Sequence, residues 1–289
     1  TQTGNVLGNI AITTTPASNF VPTSVSITED DAITQGNTWL FKPNTGTTSP
    51  VTLVTTSGQA ISLGGNDNVL GNLIITQNGA GTGAVSIREI DTAGITQAGA
   101  WTTRGTTTLD TNAVINLPNA SNVLGPITVN GAYTPTSVTI TENDDITQAS
   151  AWSVNTAPVA LNAGSHQILL TNSGNILGNI ALSGSPSLVS IRENDAITQN
   201  TAWSLGTSPV TLATSNDQAI TLNQNNVLGG LTITQYNTGA TSFGAVLVTE
   251  ADTNGITESG AWTTHGVTTL NAGTGNPIVL TQSGNVLAN

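Results

Sequence analysis

One order of motifs returns five times along the 289 residues, and it constrains the fold more than any single residue does. The tetrad Asn-Val/Ile-Leu-Gly/Ala starts at Asn5, Asn68, Asn122, Asn175, Asn226 and Asn285. Between these marks a second block recurs. It reads VSITEDDAITQGNTW at Val25–Trp39, VSIREIDTAGITQAGAW at Val85–Trp101 and VTITENDDITQASAW at Val138–Trp152. It returns as VSIRENDAITQNTAW at Val189–Trp203 and VLVTEADTNGITESGAW at Val246–Trp262. The repeats therefore span 5–67, 68–121, 122–174, 175–225 and 226–284, and Asn285 starts a sixth. The second and fifth copies resemble each other, as do the first and fourth, so the order is A-B-C-A-B.

Variation inside the repeats points to strands of fixed register. From the Ile of ITQ or ITE to the Trp is six residues in every copy, as in Ile33–Trp39 and Ile197–Trp203. From the Glu to that Ile is four or six residues, as in Glu29–Ile33 and Glu89–Ile95. An even change keeps the inward and outward parity of a strand; an odd one reverses it. Changes that are not even fall in turn-forming stretches such as Pro43–Pro50 and Asn78–Gly83. Val, Ile and Thr favour strands, and Asn, Gly, Ser and Pro favour the turns between them. Six short strand-like runs in a repeat of this length leave little room for Greek-key crossings. The expected fold is all-β: a single continuous parallel β-helix, or β-solenoid, with three strands per turn, two rungs per repeat and about ten rungs in all.

Composition removes several function classes. Four Lys and Arg against 16 Asp and Glu give a net charge of −12, which leaves no basic patch for nucleic acid. No apolar run is long enough to span a membrane as a helix. The absence of Cys removes disulfides, thiolate zinc sites and Cys nucleophiles. The absence of Met leads to the expectation of a processed chain or a segment of a longer one.

The run DQAITLNQNNVLGGLTIT at Asp217–Thr234, followed by GAVLVTEADTNGITESGAW and GVTTLNAG, resembles the repeats of giant bacterial exoproteins. These are the filamentous-haemagglutinin-like proteins of two-partner secretion and related autotransporters. The resemblance covers all five repeats. It implies a right-handed parallel β-helix displayed outside a Gram-negative cell, acting as a fibre or adhesin. A chain without Cys suits export in the unfolded state. No Arg-Gly-Asp triplet is present, because Arg104 is followed by Gly105 and Thr106.

Most carboxylates lie in five copies of Glu-x-Asp: Glu29/Asp31, Glu89/Asp91, Glu142/Asp144, Glu193/Asp195 and Glu250/Asp252, with Asp30 and Asp145 beside them. Parity places Glu and Asp inward with Val and Ile, a costly position for two charges. The expectation is that the strand turns here and both carboxylates accept turn N–H groups. The sharper reading is calcium, whose hard oxygen ligands these pairs could supply. Arg88 and Arg192 precede two of the Glu residues on the outward parity, where they should form local surface ion pairs. The five Trp should fill the interior; the alternative is a row of sugar-stacking platforms. The tetrad Asn reads as a turn residue or part of an Asn column.

The two His, His166 and His265, and the sole Lys, Lys42, are scattered among repeats, which argues against one catalytic cleft. His265 takes the slot of Arg104 and reads as a tolerant surface position. Thr-x-Thr pairs such as Thr232-Ile233-Thr234 do not recur at every rung, so a flat ice-binding array has little support. The expectation is a non-catalytic structural protein whose rungs continue into copies of itself or into adjoining repeats. Binding of surface glycans is the alternative, and a β-helical polysaccharide-active enzyme comes after it.

Overall fold

The computed structural model describes residues 4–12, 22–41, 50–237, 239 and 241–288. Lys42 and most of the Pro43–Pro50 turn lie outside them. None of the described residues is helical. Parallel strands stack as a β-solenoid of about 11 turns counted along the chain. The chain divides into two compact units, Thr1–Glu142 and Asn143–Asn289, with the boundary inside the third repeat.

In the first unit, one column of strands comprises Val25–Glu29, Val51–Thr55 and Leu73–Gln77. A second comprises Ile33–Thr34, Ile61–Asn68, Val85–Glu89, Thr107–Thr111 and Ile127–Val129. A third begins at Ile95–Thr96 and continues through Val114–Leu117 to Ser137–Thr141. The columns are staggered: the first stops and the third starts while the second runs on beside both. The second unit repeats the plan. Its longest column is Ile146–Thr147, Gln167–Leu170, Leu188–Glu193, Val210–Ser215 and Leu231–Tyr236. Beside it run Val159–Asn162 with Ile180–Ser183, then Ile197–Thr198 through Ile220–Asn226 and Val246–Glu250 to Thr268–Asn271. Ile256–Thr257 pairs with Ile278–Val279.

Successive strands alternate between two columns, so each turn lays down two strands, not the three expected. The Trp-bearing run, read as a strand in sequence, makes only isolated bridges such as Ser204↔Val227 and Thr102↔Val123. The N–H of its Trp is taken by a side-chain joint described below.

Register keeps like residues stacked. Val189, Val210 and Leu231 align, as do Ile191, Leu212 and Ile233, and all six are at most 1% exposed. Burying such aliphatic columns is the main favourable contribution to folding. In several strands the third inward position is polar, however. Glu193 stacks on Thr214 and Gln235, Glu29 on Thr55 and Gln77, and Asn68 on Glu89 and Thr111. All nine are buried. The Gly that ends the tetrad has a steric cause. A Cβ on Gly178 would lie 2.2 Å from the Ala157 carbonyl oxygen, and one on Gly229 2.3 Å from that of Thr207. Only Gly permits this approach of neighbouring turns.

Candidate functional site

The recurrent carboxylates divide into two structural classes. All five Glu keep the inward parity and are 0–2% exposed. The expected corner follows directly after each Glu, as at Asp30–Asp31, while the Glu itself stays inside, held by a backbone partner. Each accepts the N–H of the tetrad Leu. Leu7 bonds Glu29 at 2.9 Å, Leu70 bonds Glu89 at 2.6 Å and Leu124 bonds Glu142 at 3.0 Å. Leu177 bonds Glu193 and Leu228 bonds Glu250, both at 3.0 Å. The Glu thus locks one repeat block onto the other. Burial also favours the neutral acid. It pushes the Glu89 carboxyl up to about 8 and that of Glu250 to about 7. Glu193 rises to about 10, by burial first and then by a hydrogen bond with Asp195.

The Asp residues sit at the corner, as expected of turn acceptors. Asp31 accepts from Ala32 N–H at 2.7 Å, Asp91 from Thr92 N–H at 2.6 Å and Asp144 from Asp145 N–H at 2.8 Å. Asp252 accepts from the N–H groups of Asn254 and Gly255. Asp195 differs, facing Glu193 with its Oδ1 buried. These pairs serve joint and corner, and every Glu has a backbone donor.

A second joint is built on the tetrad Asn. Asn175, fully buried, accepts from Trp152 N–H at 2.9 Å and from Gln148 Nε2 at 2.8 Å. Its Nδ2 donates to the carbonyls of Leu170 at 3.1 Å and Arg192 at 2.9 Å, and to Gln148 Oε1 at 3.1 Å. Asn68, Asn122 and Asn226 repeat the arrangement with Gln35 and Trp39, Gln97 and Trp101, and Gln199 and Trp203. The constant six-residue spacing of ITQ to Trp follows, since both ends must reach one amide. In the last copy Glu258 replaces the Gln. Hydrogen bonds from Asn285, Gln282 and Thr281 hold its carboxyl below the usual range.

The five Trp are 0% exposed. Trp39 donates its indole N–H inward to Ile10, Trp101 to Leu73, Trp203 to Ile180 and Trp262 to Leu231. They are packing residues, and no sugar can stack on them. Tryptophan emission should accordingly be blue-shifted, and iodide should quench it weakly. Strong iodide quenching in the native protein would contradict the buried placement.

The two arginines that precede a Glu differ. Arg88 makes the expected local ion pair, with Asp110 on the next turn at 2.7 Å, and has the Tyr133 ring 6.0 Å away. Arg192 has Ala213 at the position equivalent to Asp110 and instead lies over the Tyr236 ring at 4.2 Å. His265 does share the Arg104 slot, since both backbone N–H groups bond a buried Gln, Gln235 and Gln77. Its side chain, though, bonds Asp217, which is 1% exposed. Asp217 holds a left-handed φ of 55° where the first repeat has Gly58 at 69°. Sequence alone offered no signal for that pair, because the two residues lie 48 apart. A shallow groove of about 500 Å³ between Ser185 and Pro209 is lined by Ser, Pro, Leu, Gly and Thr and carries no ionisable group.

Comparison with known proteins gives one match. A family model described as repeats of unknown function (DUF5649) matches residues 52–130, 123–183 and 228–289, more than half of the chain. No curated protein and no solved structure matches it.

Proposed function

Given that the chain belongs to the DUF5649 family of repeats, we propose that it is a structural segment of an extracellular fibre or surface adhesin, working by rung stacking and without catalysis. The observation that carries this reading is where the recurrent residues are spent. Glu, Asn, Gln and Trp, the residues a binding or catalytic site would draw on, are consumed in turn-to-turn joints repeated copy after copy. A unique reaction centre would instead break the repeat.

The terminal copies of the tetrad supply the second support. Leu70, Leu124, Leu177 and Leu228 are 2–4% exposed, whereas Val6 and Leu7 are 68% and 52% exposed, and Val286 and Leu287 are 55% and 41%. Apolar side chains and open strand edges of this kind template further rungs. The partner is a rung of the same kind, from an adjoining repeat or another copy. The likeness to filamentous-haemagglutinin-like exoproteins extends the proposal to the surface of a Gram-negative cell.

Electron microscopy and light scattering across a concentration series test it. Particles should lengthen end to end as concentration rises, and Leu7→Asp with Val286→Asp should stop the growth. Particles of one length at every concentration would overturn self-stacking.

A further inference from the structure

Two departures from the repeat fall in one copy and meet in space. The residue before the Ile of ITQ is Ala32 or Ala196 in the A copies and Gly94 or Gly255 in the B copies; in the third repeat it is Asp145. One turn later, two residues before the Ile that pairs with it, the A copies carry Gln59 and Gln218. The third repeat carries His166. Ile146 pairs with Ile168, so the segments just before them lie on neighbouring turns of the second unit.

From Asp144, Asp145 and His166 the structure assigns a surface site for one divalent transition-metal ion, with zinc as the best-fitting class. Each residue offers one ligand atom, and the three atoms lie within 4.8 Å of one another. Zinc bonds to nitrogen and carboxylate oxygen are about 2.0–2.2 Å long, so ligand atoms settle roughly 3–3.5 Å apart. Asp144 is exposed and the other two are half-buried, so small side-chain rotations close the difference. Hydrogen bonds already hold the His166 backbone and the Asp145 carboxylate. Gln167 N–H donates to the Asp145 carboxylate Oδ1 at 2.8 Å, which leaves Oδ2 for the ion; His166 N–H bonds the Ala163 carbonyl at 2.8 Å, and Ser187 N–H bonds the His166 carbonyl at 3.0 Å.

The donor set selects the class of ion. An imidazole nitrogen with two carboxylates suits zinc and its first-row neighbours, whereas calcium takes oxygen alone. Two carboxylates neutralise the dication, and water completes the shell. The ion would clip one turn to the next at a position where the other repeats have Ala or Gly beside Gln, Ala or Asn.

Titration calorimetry of the tag-free, chelator-treated chain with zinc chloride tests this. We expect one ion per chain at micromolar affinity or tighter at pH 7.5, weakening at pH 5.5 as the imidazole protonates. His166→Gln and Asp145→Ala install residues that the chain carries at equivalent positions, so the fold should survive; metal-free circular dichroism and unfolding midpoints check that. Each should weaken zinc binding at least tenfold. No saturable uptake, or equal affinity in both variants, would overturn the site. Calcium chloride binding as tightly at the same residues would overturn the choice of ion.

Discussion

Asn175→Ala should destabilise the second unit by about 3–5 kcal/mol. The side chain makes five hydrogen bonds inside the protein, to a backbone N–H, two backbone carbonyls and both ends of the Gln148 amide. Its removal leaves buried groups without a partner, and each such group costs about 1–3 kcal/mol. Asn175→Asp tests the donors alone, since it turns a carboxylate oxygen toward the carbonyls of Leu170 and Arg192. It should be at least as harmful at neutral pH. Urea unfolding gives the magnitude. Hydrogen exchange should place the loss in the turns around Trp152, Leu170 and Arg192, because a stacked repeat couples mainly to its neighbours. A loss below 1 kcal/mol would show that the amide is not the joint.

Raising the pH from 5 to 9 should weaken the fold by several kcal/mol. Burial raises the carboxyls of Glu89, Glu193 and Glu250 above their ordinary value of 4.5. The folded state therefore holds protons that the unfolded chain has released. The stability they contribute is complete below about pH 4.5. It is lost progressively up to about 7 for Glu250, 8 for Glu89 and 10 for Glu193. Across that window each added pH unit costs about 1.4 kcal/mol per group still protonated in the fold. Asp91, Asp195 and Asp252 face these groups and act in the same direction. General repulsion in a chain of net charge −12 also grows with pH, so a variant must separate the two. Glu193→Gln keeps an acceptor for Leu177 N–H and supplies a permanent donor toward Asp195. It should match the native protein near pH 5, exceed it at pH 9 and flatten the profile. A native profile that is level or rises would contradict the buried neutral acids.

Much of this was legible in the spacing. Even insertions between Glu and Ile announced a fixed strand register, and the recurrence of Trp once per repeat announced packing. Counting strands was less successful, because the run from Trp203 alternates like a strand while its first N–H is taken by an Asn side chain and its pairing shrinks to one bridge. The Glu burial was misjudged for a physical reason. Parity placed the Glu inward and the cost of charge called for a corner with turn donors, and neither registers that Leu177, 16 residues before Glu193, supplies a backbone N–H at that point. Asp144 and His166 looked unrelated at 22 residues apart, which is one turn of this coil. Residues that depart from a repeat acquire meaning only when the length of the turn is known.

The stagger of the columns bears on how such a chain would fail under load. In the first unit the column that ends at Leu73–Gln77 and the one that begins at Ile95–Thr96 are bridged by a neighbour running from Ile33 to Val129. This is the running bond of masonry, in which no vertical seam passes through successive courses. A tear that peels one column meets intact strand in the next, so failure should advance in discrete steps of a few turns, each with its own yield force.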